Sequence, residues 1–94
     1  MLFSYPDEAP RKFWMKNTLI PLDILFFSKD PTSQGWIMTS WHAAVPCKDD
    51  PCPRYGDEDP IIHVVELPAG TVKGRGWGVG ARLVLPAERL VPVE

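Results

Sequence analysis

The sequence predicts a mainly β protein, a small antiparallel sheet curled into a barrel-like domain with at most one short helix. Three observations carry this expectation. Eleven prolines in 94 residues are roughly twice the usual share and leave few stretches able to hold a long helix. Apolar residues alternate with polar ones or run in short β-branched blocks, rather than recurring every three or four positions. Glycines at 70, 74, 76, 78 and 80 interrupt the proline-free segment from Ala69 to Leu85, which weakens any helix there.

The elements follow in chain order. In Phe13 to Leu19 a regular strand would place Phe13, Met15 and Asn17 on one face and Trp14, Lys16 and Thr18 on the other, so neither face is purely apolar. "LDILFF" (22–27) alternates, with Leu22, Ile24 and Phe26 facing one side and Asp23, Leu25 and Phe27 the other. "SKDPTSQG" (28–35) supplies turn residues, and "WIMTSWHAA" (36–44) completes a hairpin. "PCKDDPCPRYGDEDP" (46–60) is polar and proline-rich and reads as a loop. "IIHVVEL" (61–67) is the strongest strand, with His63 expected to point with Ile61, Val65 and Leu67 as a satisfied, partly buried imidazole. "PAGTVKGRGWGVG" (68–80) is a loop in which one short helical turn near Thr71 to Lys73 is allowed, and "ARLVL" (81–85) is a further strand.

At this length one domain spanning residues 1–94 is expected, burying only roughly 60–65% of its unfolded surface. A covalent staple therefore matters. The composition, 45% apolar and 23% charged, is that of an ordinary globular domain. A net charge of −2 with mixed signs provides no basic stripe, so nucleic acid is not an expected partner. No run approaches a membrane span and no leader pattern opens the chain. As it stands the sequence points to the cytoplasm, or to export if a signal precedes Met1.

The blocks "MLFSYP", "FWMKNTLIPLDILFF", "AAVPC" with Tyr55 nearby, and "VVELPAGTV" followed by "VGARL" resemble domain of unknown function family 192 in their order and wording. The resemblance runs from Met1 to about Leu83. It implies a compact β-rich domain, often exported, whose biochemical role is unassigned. Relatives usually begin with a further strand and a turn before the "MLF" block, so the chain is expected to lack that strand and to expose a sheet edge. "KGRGWGVG" is richer in glycine than the short helix relatives carry here. The "ELPAGTV" to "ARLVL" stretch is also similar to the strand–turn–strand of small AbrB-type barrels that bind DNA, an analogy the charge balance does not extend to function.

Two readings of "FWMKNT" stand side by side. In one, Trp14 and Met15 give contact area while Lys16, Asn17 and Thr18 fix an anionic or hydroxylated ligand, with Asp23 and Glu66 closing a polar rim. In the other, Asn17 and Thr18 bond the backbone at a bend before Pro21, and Lys16 pairs with Asp23 or Glu66. Cys47 and Cys52 stand within disulfide reach in a short loop. A Cys2His2 zinc set with His42 and His63, or free thiols, are the alternatives, although the spacing is that of neither a finger nor a ribbon. The disulfide is carried forward, with no metal and no cofactor. Ser40, His42 and Asp23 lack any nucleophile-elbow context. "GRGWGVG" does not meet the dinucleotide pattern, and Trp77 within it either packs on the sheet or covers a ligand.

The function expected is a non-enzymatic small-ligand-binding or accessory domain with a polar patch around residues 14–18. The runner-up is a hydrolase or carbohydrate-active enzyme using Asp23 or Glu66. A third class is an interaction domain that pairs through an open sheet edge, including with a second copy of itself.

Overall fold

The computed structural model describes residues 1–16 and 18–85. Five antiparallel strands form one sheet: β1 (Leu2–Trp14), β2 (Leu22–Lys29), β3 (Trp36–Ala44), β4 (Arg54–Pro68) and β5 (Arg82–Leu83). A five-residue helix, α1 (Thr71–Arg75), lies between β4 and β5. The strand order is β1-β4-β2-β3-β5.

β2 sits in the middle and is buried on both sides from Asp23 to Ser28. Its alternation feeds two cores. Ile24 and Phe26 join Met15, Ala44, Ile61 and Val64 on one face. Leu25 and Phe27 join Met38 and Val72 on the other. Burying each such side chain contributes about 1.5–3 kcal/mol, so a strand buried on both faces concentrates stabilisation where the chain has fewest residues to supply it.

The barrel expected from the sequence does not close, because β1 and β5 end the sheet without pairing to each other. The sheet nevertheless curls, and the cause is local. Thr39 is an extra residue where Phe26 pairs with Ser40 but Phe27 with Met38. Ile62 is likewise extra where Phe27 pairs with His63 but Ser28 with Ile61. The β1–β4 ladder also shifts register between Ser4 and Ala9 and again before Arg11. Bulges bend and twist the strands that carry them. The Ile62 bulge also separates Ile61 from His63: Ile61 enters the first core, while His63 stands against Trp36 on the other face, ring centroids 4.6 Å apart.

The bend carries the first half of β4 over the first core toward β3, although β2 lies between them in the sheet. Side chains make this seam. Thr39 Oγ1 and Ser40 Oγ donate to the Asp57 carboxylate at 2.6 and 2.5 Å. His42 Nε2–H donates to the Gly56 carbonyl at 3.0 Å, which fixes its tautomer. Burial pushes the Asp57 carboxyl up, but the hydrogen bonds from Ser40, Thr39 and the Asp59 backbone outweigh it and hold the group below its ordinary range. Residues 54–60, expected as loop, are therefore strand. β1 was hidden by Pro6 and Pro10, which an edge strand tolerates because its outer N–H groups need no partner.

Gly56 lets the two strands approach. A Cβ there would lie 2.6 Å from Lys12 Cγ and 2.7 Å from the Arg11 carbonyl oxygen, and the second neighbour is backbone that cannot step aside. Gly56→Ala is expected to cost about 1–3 kcal/mol, the range for forced overpacking, read as a lower urea midpoint at unchanged m-value.

Candidate functional site

The residues singled out around position 14 do not gather in one hollow. Met15 is core, 2% exposed. Trp14 is 48% exposed, with the Arg54 guanidinium 4.9 Å and Lys16 Nζ 5.6 Å from its ring centroid. Lys16 pairs at 2.7 Å with Asp50, rather than with Asp23 or Glu66. Thr18 N–H donates to the Met15 carbonyl at 3.1 Å. Asn17 lies outside the described residues. Asp23 and Glu66 fall on opposite faces of the sheet, since Asp23 pairs with Leu67 and Ile24 with Glu66.

Each acid has its own surroundings. Asp23 is 1% exposed and accepts the Val72 N–H at 3.0 Å. It thereby satisfies one of the free donors at the start of α1, a capping role filled from a distant strand. Burial raises the Glu66 carboxyl, partly offset by the N-terminal ammonium, whose nitrogen donates to the Glu66 carbonyl.

The cysteines are joined, Cys47 to Cys52, with Cα atoms 5.8 Å apart. With both sulfurs bonded, the Cys2His2 alternative has no thiolates to offer. The bridge holds the loop bearing Asp50 against Lys16, whose backbone pairs with Cys47. Ser40, His42 and Asp23 do not form a catalytic set, because Ser40 donates to Asp57 and His42 to Gly56. A different Ser–His pair is present: Ser4 Oγ and His63 Nδ1 are 2.8 Å apart, both residues buried. His63 Nε2 is buried with no hydrogen-bond partner among the described residues, and burial lowers the pKa of the ring.

A concave, apolar feature of the fold lies on the second face. Leu25, Phe27, Met38, Val65 and Leu67 floor an apolar cavity of about 320 Å³, walled by Trp77, Ala81, Arg82 and Leu83. The wall is built by the glycine-rich stretch. Gly76, at φ 70°, ends α1 and turns the chain, so that the Trp77 N–H reaches the Val72 carbonyl at 3.0 Å, a C-terminal closure suited to glycine. Gly80 N–H then donates to the Met38 carbonyl and Met38 N–H to the Ala81 carbonyl, at 2.9 and 2.8 Å. Val72, fully buried in the second core, anchors the near end of this arm, and Asp23 fixes the helix that carries it.

Arg82 closes the far side. Its guanidinium donates to Asp30 and Ser33 at 2.8 Å each. Thr32 N–H, Thr32 Oγ1 and Ser33 Oγ also donate to Asp30, and these bonds, with Arg82, hold its carboxyl down at about 2. Sequence reasoning singled out Trp77 but missed the cavity, because its floor residues read only as core. The one available signal was the placement of an aromatic between glycines opposite an apolar strand face.

The sequence profile of domain of unknown function family 192, described as an uncharacterized ACR family, matches residues 1–85. The chain belongs to this family. A crystal structure from Sinorhizobium meliloti 1021, of a protein called a "putative transcription regulator", is similar at 38% identity and a TM-score of 0.72 over 87% of the chain. The match spans 58% of that protein's chain. No curated protein matches significantly. Among the described residues no helix is long and apolar enough to cross a membrane.

The buried imidazole gives this family member a pH dependence of defined sign. Below the ordinary histidine pKa near 6.5, the unfolded chain binds a proton that folded His63 refuses. Stability then falls as pH drops, until the folded-state pKa is reached, by at most about 1.4 kcal/mol per pH unit. Urea midpoints measured from pH 7.5 to 5 are expected to decline in the native chain and to flatten in His63→Gln.

Proposed function

We propose that the chain is a small-ligand-binding domain and that the cavity over the second sheet face is its binding site. The observation supporting this is a hollow of about 320 Å³, at the lower end of the range for small-molecule sites, lined by apolar side chains with a polar group at the edge. Its walls are anchored by backbone hydrogen bonds, so the space is preformed and little ordering is needed on binding. If a regulatory role such as the Sinorhizobium protein's name suggests extends to this chain, the cavity is where a small-molecule signal would enter.

A second reading keeps the ligand at residues 14–18. The exposed Trp14 indole between Arg54 and Lys16 favours it, as an aromatic surface ready to stack a planar ligand. It offers no enclosure.

One experiment separates the two. N-phenyl-1-naphthylamine, a neutral apolar fluorophore, is titrated into the native chain and into Leu67→Trp, Trp77→Ala and Trp14→Ala. The cavity reading expects saturable enhancement at one site, lost when Leu67→Trp fills the floor, weakened in Trp77→Ala and retained in Trp14→Ala. Loss in Trp14→Ala alone would move the site to residues 14–18. No saturable binding to the native chain would end the cavity proposal.

A further inference from the structure

We propose that the cavity's ligand is an amphiphilic carboxylate: a small molecule with one acyl or aromatic body, held over the apolar floor, and one anionic group held by Arg75. The inference rests on the cavity reading above and adds the ligand's chemical class.

Charge supports it first. Between Glu66 and Glu88 the sequence has Lys73, Arg75 and Arg82 and no acidic residue, so the arm that walls the cavity is wholly cationic. The three cations are not equivalent. Arg82 is already engaged by Asp30 and Ser33. Lys73 stands two positions before Arg75 on α1, and residues so spaced do not share a helix face. Arg75 has no carboxylate within ion-pair distance among the described residues, and its guanidinium lies 5.9 Å from the centroid of Trp77, the ring that walls the cavity.

Chemistry decides the rest. A guanidinium presents two parallel N–H groups that match a carboxylate. The floor residues Leu25, Phe27, Met38, Val65 and Leu67 carry no hydrogen-bonding side chain apart from a thioether, so the buried part of the ligand must be apolar to avoid an unmet polar group. A cationic head would meet the like charge of Arg82 in the cavity wall. One anion suffices, because among the described residues Arg75 is the cation beside Trp77 without an acidic partner.

The test compares three ligands with the same eight-carbon chain, octanoate, 1-octanol and octylamine, by Trp fluorescence and calorimetry at low ionic strength. Octanoate is expected to bind roughly three- to fivefold tighter than octanol, the size of a rim ion pair, with octylamine weakest and the octanoate advantage shrinking as salt is added. Arg75→Ala should abolish that advantage while leaving octanol affinity unchanged, and Arg75→Lys should retain part of it. Unchanged octanol affinity also shows that the variant is folded. Octanol binding as tightly as octanoate, or an advantage that survives Arg75→Ala, overturns the assignment of the anion and leaves the cavity reading standing. Failure of all three ligands to bind overturns both.

Discussion

The structure depends on a strand buried from both sides. β2 places Ile24 and Phe26 in one core and Leu25 and Phe27 in the other, so a single short segment joins β3 to β4, which otherwise share few contacts. The same alternation places Asp23 on the second face, where its carboxylate meets the start of α1. A buried carboxylate without donors would be strongly unfavourable. Here the donor is a backbone N–H that itself needed an acceptor, and each group resolves the other's deficit. The start of the helix is held by that bond, and the arm after it by backbone bonds to Met38.

Much of this was readable in advance and some of it was not. The period-two pattern of residues 22–27 assigned Leu22, Ile24 and Phe26 to one face and Leu25 and Phe27 to the other, as the structure has them, because a strand has only two sides to choose from. The sequence allowed one helical turn near Thr71 to Lys73 within a stretch read as loop, and the helix runs from Thr71 to Arg75; the cysteine pair was legible from its spacing. The reach of β4 back to Arg54 was not, because Pro60, Gly56 and three acids carry no strand preference. Their place is set by β1 on one side and by Thr39, Ser40 and His42 on the other. Bulges at Thr39 and Ile62 left no local mark either, and a one-residue insertion in a ladder reassigns faces, which is why His63 parted from Ile61.

The candidate site shows the same division. "FWMKNT" attracted attention because polar and apolar residues meet there, yet the fold assigns these residues separate partners: Met15 the core, Lys16 the disulfide loop, Trp14 two cations. The hollow formed instead where ordinary core residues face an arm held a little away from them. No residue type announces such a space. It arises because glycines at 76 and 80 take left-handed conformations and fix the course of the arm independently of side-chain packing.

The seam between β3 and β4 has a consequence for how the molecule yields under stress. Elsewhere the strands are zipped by main-chain ladders, but here the closing contacts are three side-chain bonds converging on Asp57 and Gly56. The outer halves of β1 and β4, joined to each other by their own ladder, cover the first core as one layer. Opening this seam would break those side-chain bonds and uncover the first core, whereas freeing β2 would break ladders on both of its edges. The seam and the cavity thus lie on opposite faces of one sheet, and the side chains that close the first take no part in lining the second.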